Sequence, residues 1–500
     1  MTAPASSPAG TGPAKPWPWR YPLAVLLGLV LPLVVVLQGP SLSVDRALVL
    51  QLLLCVYSGA RLSAVVSAPT ISPLQGMFWL FCYTAMGIAP LAQQVVRATP
   101  IPVTGSPSDV VYGLLLTLAG FVAFDVGTHL HHGKGLRRGA DGEARTRRAL
   151  VDIPHLRVAA FTVVALLGCA AFVSTLGVAA FFASRQAIGD SFDAAGLSSD
   201  SQAGTASLRA IGTVPVLIAF LLLTRRLVVD ARARRRPLVV LAWAATLAAQ
   251  VVVNNPISNA RFWFVTVALS TVLVLFPRRV GAFRALLLLG VFASLVILPV
   301  ADKFRLEGGQ TRFERTSTVQ TLAVKDYDQM NMMANTVTYV REGPGHTWGR
   351  QAAGDLLFWL PRSIWESKPN DTGTDVGNYI GTANVNLSEP LWAELWIDFG
   401  LAGMVLGFLL VGYLLRRFDG WYADAVERGR LVTTVGMIAV PVVAGYEAIL
   451  LRGSLLQAMG RVGVMVLCFV ALSVWTRRRG TQEDPDPASL APARQPQLLP

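Results

Sequence analysis

Residues 283–315 read FRALLLLGVFASLVILPVADKFRLEGGQTRFER, and the change of character inside this stretch decides how the chain is organised. Its first eighteen residues are apolar or small apart from Arg284, whereas its last fifteen carry seven ionisable side chains. An apolar run of this length is typical of a membrane-spanning helix. Polar and mixed sequence continues to residue 390, where a second apolar block begins. We therefore expect membrane spans on both sides of one large loop, residues 301–390.

The composition of the whole chain agrees with a membrane location. Of its 500 residues, 53% are hydrophobic and 15% are charged, whereas soluble domains contain about 25% charged residues. Because lipid offers the backbone no hydrogen-bond partners, the repeated apolar runs are predicted to be helices. We predict an all-α polytopic integral membrane protein with about twelve transmembrane helices and one large, partly helical external loop. The predicted spans are 22–38, 44–62, 74–92, 108–126, 154–178, 208–225, 236–253, 260–277, 283–300, 391–415, 431–450 and 455–476.

The span count divides the chain into five parts. Nine spans precede the large loop and three follow it. Both termini are rich in Pro, Ala and polar residues, which predicts disorder. The parts are a disordered cytoplasmic N-terminus (1–20), a nine-helix membrane domain (21–300), the external loop (301–390), a three-helix membrane domain (391–478) and a disordered cytoplasmic tail (479–500).

The distribution of basic residues sets the predicted topology. In a soluble protein the net charge of +13 would suggest a nucleic-acid partner. Here most of the basic residues lie in alternate loops between the predicted spans, where the positive-inside rule places them. We therefore expect no nucleic-acid partner. We expect a multi-pass protein of the cytoplasmic membrane with both termini in the cytoplasm and residues 301–390 outside.

The large loop contains patterns that predict local structure. Residues 327–342 place four apolar side chains at helical spacing before a Gly-Pro stop, which predicts a helix. Residues 351–365 form a short amphipathic piece whose aromatic content suits the membrane interface. Residues 370–387 are rich in Gly, Asn and Thr, which predicts an irregular loop.

Outward-facing arginines are the first candidates for chemistry. Arg261 lies at the outer end of a predicted span, against the positive-inside bias. An arginine there is costly unless it snorkels or meets an anion, and its guanidinium fork matches phosphate oxygens. Arg261 therefore indicates an anion site, with snorkelling or pairing to a carboxylate as the alternatives. The other outward arginines are Arg185, Arg305, Arg312, Arg315, Arg341 and Arg362.

Acidic side chains near the tenth span are candidates for a general base. Glu389 and Glu394 flank its start, and a desolvated carboxyl there would have the raised pKa that suits a base. The alternative is pairing with an outward arginine. His346 is the one histidine predicted to lie outside, and it is a further candidate base or a solvated loop residue. Arg452 is close to Glu447 in the sequence, which favours a structural pair.

Two stretches around the end of the large loop carry a further pattern: residues 361–369 read PRSIWESKP, and residues 388–403 read SEPLWAELWIDFGLAG. Together they resemble the bacterial O-antigen polymerase (Wzy) and oligosaccharide repeat-unit polymerase family. The first is similar to the family's P-R-x-x-W-x-x-K-P stretch, and the second to its entry into the following span, although Glu389 stands where the family pattern has histidine. Asn259-Ala260-Arg261, and Arg185 with Gly196, give weaker matches.

The resemblance implies a metal-independent glycosyltransferase that polymerises lipid-linked oligosaccharide units at the outer face of the cytoplasmic membrane. The implied donor is a glycan on polyprenyl diphosphate, such as undecaprenyl diphosphate. Departure of the diphosphate needs preplaced cations, for which we predict Arg261, Arg185, Arg305 and Arg362. Glu394 or Glu389, and after them His346, are predicted to activate the acceptor hydroxyl.

The resemblance implies no cofactor and no metal. The expected partners are the polyprenyl-diphosphate-linked oligosaccharide and membrane lipid, and the resemblance allows a chain-length regulator. Two alternatives stay open at this point. One is an O-antigen ligase type of transfer to another acceptor, and the other is a flippase or transporter for lipid-linked sugar.

Overall fold

The computed structural model describes residues 17–39, 44–135, 152–183, 185–196, 202–297, 299, 319–323, 325–383, 385–428 and 432–474. Within these residues every regular element is a helix and there is no strand. The main helices are α1 (Arg20–Leu37), α2 (Arg46–Ser67), α3 (Pro73–Val96), α4 (Pro107–Gly135), α5 (His155–Leu176), α6 (Arg185–Ala194), α7 (Gln202–Val229), α8 (Pro237–Val253), α9 (Arg261–Leu275), α10 (Val280–Ile297), α11 (Gln329–Glu342), α12 (Arg350–Leu356), α13 (Thr372–Tyr379), α14 (Leu391–Arg428), α15 (Gly436–Arg452) and α16 (Leu455–Val474). Most of both predicted disordered termini lies outside the described residues.

Each of the twelve predicted spans coincides with a helix. Among the described residues, nine helices are long and apolar enough to cross a membrane, as expected of a multi-pass helical membrane protein. The other three, α8, α9 and α15, contain 17, 15 and 17 residues. At about 1.5 Å per residue, they are shorter than a hydrocarbon core of about 30 Å. The count of twelve spans therefore stays a prediction.

The described part of the large loop, residues 319–390, is called the cap. The helix predicted over 327–342 is confirmed as α11, which packs against α4 and α14. Met333, Thr336 and Val337 on this helix are completely buried. Its C-terminal Arg341 forms an ion pair of 2.7 Å with Asp109 at the start of α4. The cap is therefore built into the end of the helix bundle rather than laid over it.

The prediction of an irregular loop over residues 370–387 is wrong in part, because this stretch contains α13. Asp371 is the N-cap of α13, and its side chain accepts a hydrogen bond of 3.3 Å from the backbone N–H of Thr374. An N-cap carboxylate satisfies one of the first backbone donors of a helix. This local hydrogen bond supports a short helix in a stretch whose Gly and Asn content disfavours one.

Helices α4 and α14 pack closely against each other, and α3 packs beside them. Phe78 of α3 stacks on Phe124 of α4 at a ring-centroid distance of 3.5 Å, and both rings are completely buried. On the neighbouring α14, Gly412 has no side chain where it passes the Phe124 backbone. An added Cβ at Gly412 would lie 2.1 Å from the Phe124 carbonyl oxygen. The bundle therefore depends on glycine at this crossing.

We expect Gly412→Ala to lower the thermal unfolding temperature of the purified protein. The added methyl group would meet backbone rather than a flexible side chain, so the helices must separate, at a cost of about 1–3 kcal/mol. Gly420→Ala in the same helix is the matched control, because an added Cβ there meets nothing within 4 Å. Equal unfolding temperatures for the two variants would contradict the observed crossing.

Candidate functional site

A cavity of about 600 Å³ lies where the ends of α6, α7, α9, α15 and α16 meet the cap. We call it the arginine cavity because four arginines line it. They are Arg209, Arg261, Arg452 and Arg461, and the carboxylates on its wall are Asp193 and Asp326. Basic side chains thus exceed acidic ones by two, which favours an anionic ligand.

The four arginines come from four different helices. Arg209 lies in the second turn of α7 and Arg461 in the second turn of α16, while Arg261 is the first residue of α9 and Arg452 the last of α15. Helices α9 and α16 begin at the cavity, whereas α6 and α15 end there, so the dipoles of these helix ends oppose one another. The positive potential of the cavity therefore comes from the arginine side chains.

Three of the arginines are held against aromatic rings. A cation over a ring face is attracted by the ring quadrupole, and the stacked guanidinium keeps its edges available for hydrogen bonds. This arrangement positions the charges before any ligand arrives. The guanidinium-to-ring distances are 4.8 Å for Arg209 over Phe192, 5.3 Å for Arg452 over Phe262 and 4.6 Å for Arg461 over Trp263.

The loop before α9 positions one of these rings. Trp263 donates its indole N–H to Asn254 Oδ1 at 2.7 Å. The Asn254 amide in turn donates to the Thr213 carbonyl at 3.1 Å and to Gln250 Oε1 at 2.8 Å. The Asn254 side chain thus connects α7, α8 and α9. Its hydrogen bond with Trp263 fixes the orientation of the indole ring under Arg461.

Asp326 connects two of the arginines. Its carboxylate lies 3.3 Å from Arg261 and 3.7 Å from Arg452, and its backbone carbonyl accepts a hydrogen bond of 3.2 Å from Arg452 Nε. Arg452 also lies 3.8 Å from the buried carboxylate of Asp328. Arg261 therefore pairs with a carboxylate, which was one of the alternatives for it, and it also lines the cavity. Asp326 lets the two cations lie side by side.

Arg461 lies on the cavity wall beside Tyr446, with which its side chain forms a hydrogen bond. Its buried Nε–H has no hydrogen-bond acceptor in good geometry within the described part of the chain. A buried donor without a partner costs free energy that a ligand acceptor can recover. Arg461 is therefore a candidate to bind an anion together with the other arginines of the cavity.

Of the other arginines predicted to bind diphosphate, Arg362 lies elsewhere. It donates to the carbonyls of Lys368 and Pro369, at 2.8 and 3.3 Å, and to Asn370 Oδ1 at 2.7 Å. These contacts close its own loop, and it is not among the residues that line the cavity. Arg185 begins α6, whose later residues line the cavity, but its side chain lies outside the described residues, as does all of Arg305.

The predicted base Glu394 lies directly behind the cavity wall. It is buried, and it accepts hydrogen bonds from the Leu455 backbone N–H at 3.1 Å and from Thr372 Oγ1 at 2.7 Å. Ser454, which precedes Leu455 in the sequence, lines the cavity and donates a hydrogen bond from its hydroxyl group to Asp371. Burial raises the pKa of Asp371. Two buried carboxyl groups, Asp371 of the cap and Glu394 of α14, therefore hold the start of the helix that carries Arg461.

Glu389 and His346 also lie away from the cavity lining. Glu389 is completely buried and accepts a hydrogen bond from Thr336 Oγ1, and its burial raises the pKa of its carboxyl group well above the usual range. His346 lies beside Gly400, a positive-φ break in α14, with Nδ1 3.3 Å from the Ile397 carbonyl oxygen. Neither residue, nor Glu394, is among the described residues that line the cavity. Their role as bases stays a prediction.

Three of the four cavity arginines were not predicted as site residues. Arg209 and Arg461 lie inside predicted spans, and a charged residue within a span is itself a signal of function. Arg452 was interpreted as a partner of Glu447, but the ion pairs described for it are with Asp326 and Asp328. A search for charged residues within the predicted spans would have identified Arg209 and Arg461, which are two of these three arginines.

Comparisons of the chain with protein-family models, with curated proteins and with solved structures give no significant match. The function of the site is therefore argued from its own residues.

The cap carboxylates predict a pH dependence of stability. The pKa of Asp355 is raised to about 7. Burial is the largest cause, and the negative charges of Asp398 and Asp371 are the smaller ones. Because this pKa is higher in the folded protein, its stabilising contribution is complete below about pH 4 and is lost as the pH rises through about 7. We expect Asp355→Asn to reduce the fall in unfolding temperature between pH 5 and pH 8.

The size of this effect is on the order of 1 kcal/mol for each unit of pKa shift. The measurement is thermal unfolding at the two pH values, with Glu366→Gln on the exposed surface of the cap as the matched control. A wild-type fall that Asp355→Asn leaves unchanged would show that another group causes it.

Proposed function

We propose that the protein is a membrane glycosyltransferase that polymerises oligosaccharide units carried on polyprenyl diphosphate. The observation that carries this proposal is the convergence of Arg209, Arg261, Arg452 and Arg461 on one cavity. Arginine forks match the oxygens of a diphosphate in geometry as well as in charge. The cavity is taken as the site of the donor diphosphate, and the resemblance of residues 361–369 and 388–403 to repeat-unit polymerases supplies the reaction.

In this mechanism the bond between the anomeric carbon of the donor glycan and the diphosphate oxygen breaks. The electron pair of that bond remains on the departing diphosphate, where the preplaced arginines stabilise the developing charge. A hydroxyl oxygen of the acceptor unit bonds to the anomeric carbon and loses its proton. The products are a glycan lengthened by the transferred chain and polyprenyl diphosphate.

The acceptor proton needs a base close to the cavity. Asp193 is an exposed carboxylate on the cavity wall, at the C-terminal end of α6. It is better placed for this role than Glu389 or Glu394, which are buried away from the cavity lining. Asp193 is therefore our preferred base, with Glu394 assigned to holding α16.

Ligase-type transfer to another acceptor would use the same donor site, so the two reactions differ in the acceptor alone. A transporter for lipid-linked sugar needs polar groups along a path through the membrane. The charged lining of the arginine cavity instead gathers at the cap end of the helices. Glycosyl transfer therefore accounts for the cavity better than transport does.

We expect Arg461→Met to reduce polymer formation by about 10²–10³-fold, the usual effect of removing one preorganised donor to a developing anion. Arg461→Lys should restore part of the activity, because it keeps the charge but loses the fork. The assay combines the purified protein in nanodiscs with polyprenyl-diphosphate-linked repeat units and resolves the products on a gel.

The matched control is Arg235→Met, which removes an exposed arginine far along the chain from the cavity residues. Thermal unfolding of each variant separates loss of folding from loss of activity. Full activity of folded Arg461→Met would refute the assignment of the cavity. Transfer of glycan to a different acceptor, with no polymer from the wild type, would assign the protein as a ligase.

A further inference from the structure

A second surface of the cap carries chemistry that the proposed reaction does not use. Residues 348–365, called the dipping segment, expose large apolar side chains close together in the sequence. An exposed patch of this kind marks an interaction site on a soluble surface or contact with lipid. The most exposed of these side chains are Trp348 at 75%, Leu356 at 69%, Trp359 at 66% and Ile364 at 72%.

The position of Phe358 sets the depth of the dipping segment. A Cβ added at Gly463 of α16 would lie 2.5 Å from Phe358 Cζ, so the ring packs directly on this part of the helix. Gly463 comes eight residues after Leu455, which is about 12 Å along the helix axis. Because α16 is one of the candidate membrane spans, the Phe358 ring lies beside the span rather than above its end.

The backbone of the dipping segment is prepared for an environment without water. Residues 357–360 form a non-helical turn, and irregular backbone at membrane depth requires partners for its polar groups. Buried Lys368 donates its ammonium group to the carbonyls of Phe358 and Leu360, at 2.7 and 2.9 Å. Arg362 then bonds the carbonyl of Lys368 itself at 2.8 Å. Lys368 of the P-R-x-x-W-x-x-K-P stretch thus satisfies two carbonyls of the turn, and Arg362 holds the backbone at Lys368.

We infer that residues 348–365 insert into the membrane leaflet on the cap side and that their occupant is lipid. Trp359, Leu356 and Ile364 lie among the acyl chains, and Trp348 lies at the interface, where indole rings are favoured. A protein partner would not require the turn to pack beside a span with its carbonyls satisfied internally. The inference does not depend on the proposed reaction.

Insertion has a structural consequence for the arginine cavity. Gly463 follows Arg461 by two residues, so their side-chain directions differ by about 200° around α16. The dipping segment therefore covers the face of α16 opposite the one that lines the cavity. Lipid insertion braces the Arg461 helix from the membrane side while Glu394 and Asp371 hold its first turn.

The test is a depth measurement by spin labelling of the full protein in nanodiscs of phosphatidylcholine and phosphatidylglycerol. Labels are attached at Trp359→Cys and Ile364→Cys, since the four native cysteines are buried. Collision with oxygen, which concentrates in lipid, is compared with collision with a water-soluble nickel chelate. Leu467→Cys, on the exposed face of α16, is the lipid reference, and Tyr379→Cys in α13 is the cap reference.

We expect both positions to favour oxygen over nickel several-fold more than position 379 does, and to approach the ratio at position 467. A ratio like that at position 379 would overturn the inference, because the segment would then lie in water. Poor access by both reagents would also overturn it, because a protein partner or a second copy of the chain would then cover the segment.

Lys368→Met tests the reason for insertion. This variant leaves the carbonyls of Phe358 and Leu360 without their donor, so the label at position 359 should shift toward the nickel-accessible ratio. Lys368→Arg, which keeps a donor, should restore much of the wild-type ratio. An unchanged ratio in Lys368→Met would remove Lys368 from the explanation.

Discussion

The arrangement of the cap end of this protein depends on one constraint, which is that four arginines must share one cavity without driving their helices apart. Like charges repel, and they repel more strongly the less water lies between them. Asp326 offsets this repulsion between Arg261 and Arg452, and aromatic faces beneath Arg209 and Arg461 supply further compensation. The remaining positive charge is what an anionic ligand would neutralise.

The same constraint explains why the cap is built into the bundle. The arginines reach the cavity from four helices, so the ends of those helices must be held in register. Glu394 and Asp371 do this for α16 through Leu455 and Ser454. A buried carboxyl group is costly unless it is hydrogen-bonded or protonated, and the hydrogen bonds that satisfy these groups are also the ones that position the helix.

The residues that carry the family resemblance take mainly positioning roles in the fold. Lys368 satisfies backbone carbonyls of the dipping segment, and Arg362 bonds the carbonyl of Lys368. Asp398 accepts backbone N–H groups at the start of α12. Gly400 adopts a positive φ of 65° that breaks α14. A membrane leaves few ways to satisfy irregular backbone, so such residues are restricted even where they touch no substrate.

The sequence by itself determined the membrane class and the positions of the apolar helices, and it singled out Arg261 as a candidate site residue. Apolar run length and a charge at a span end are local properties that a single chain displays directly. The helix over residues 327–342 followed from its spacing for the same reason. Only the tertiary structure brought Arg209, Arg452 and Arg461 to Arg261, and only it separated Arg362 from them. Those outcomes depend on which helix ends meet, and contacts between residues far apart in the chain leave no periodic trace in the sequence.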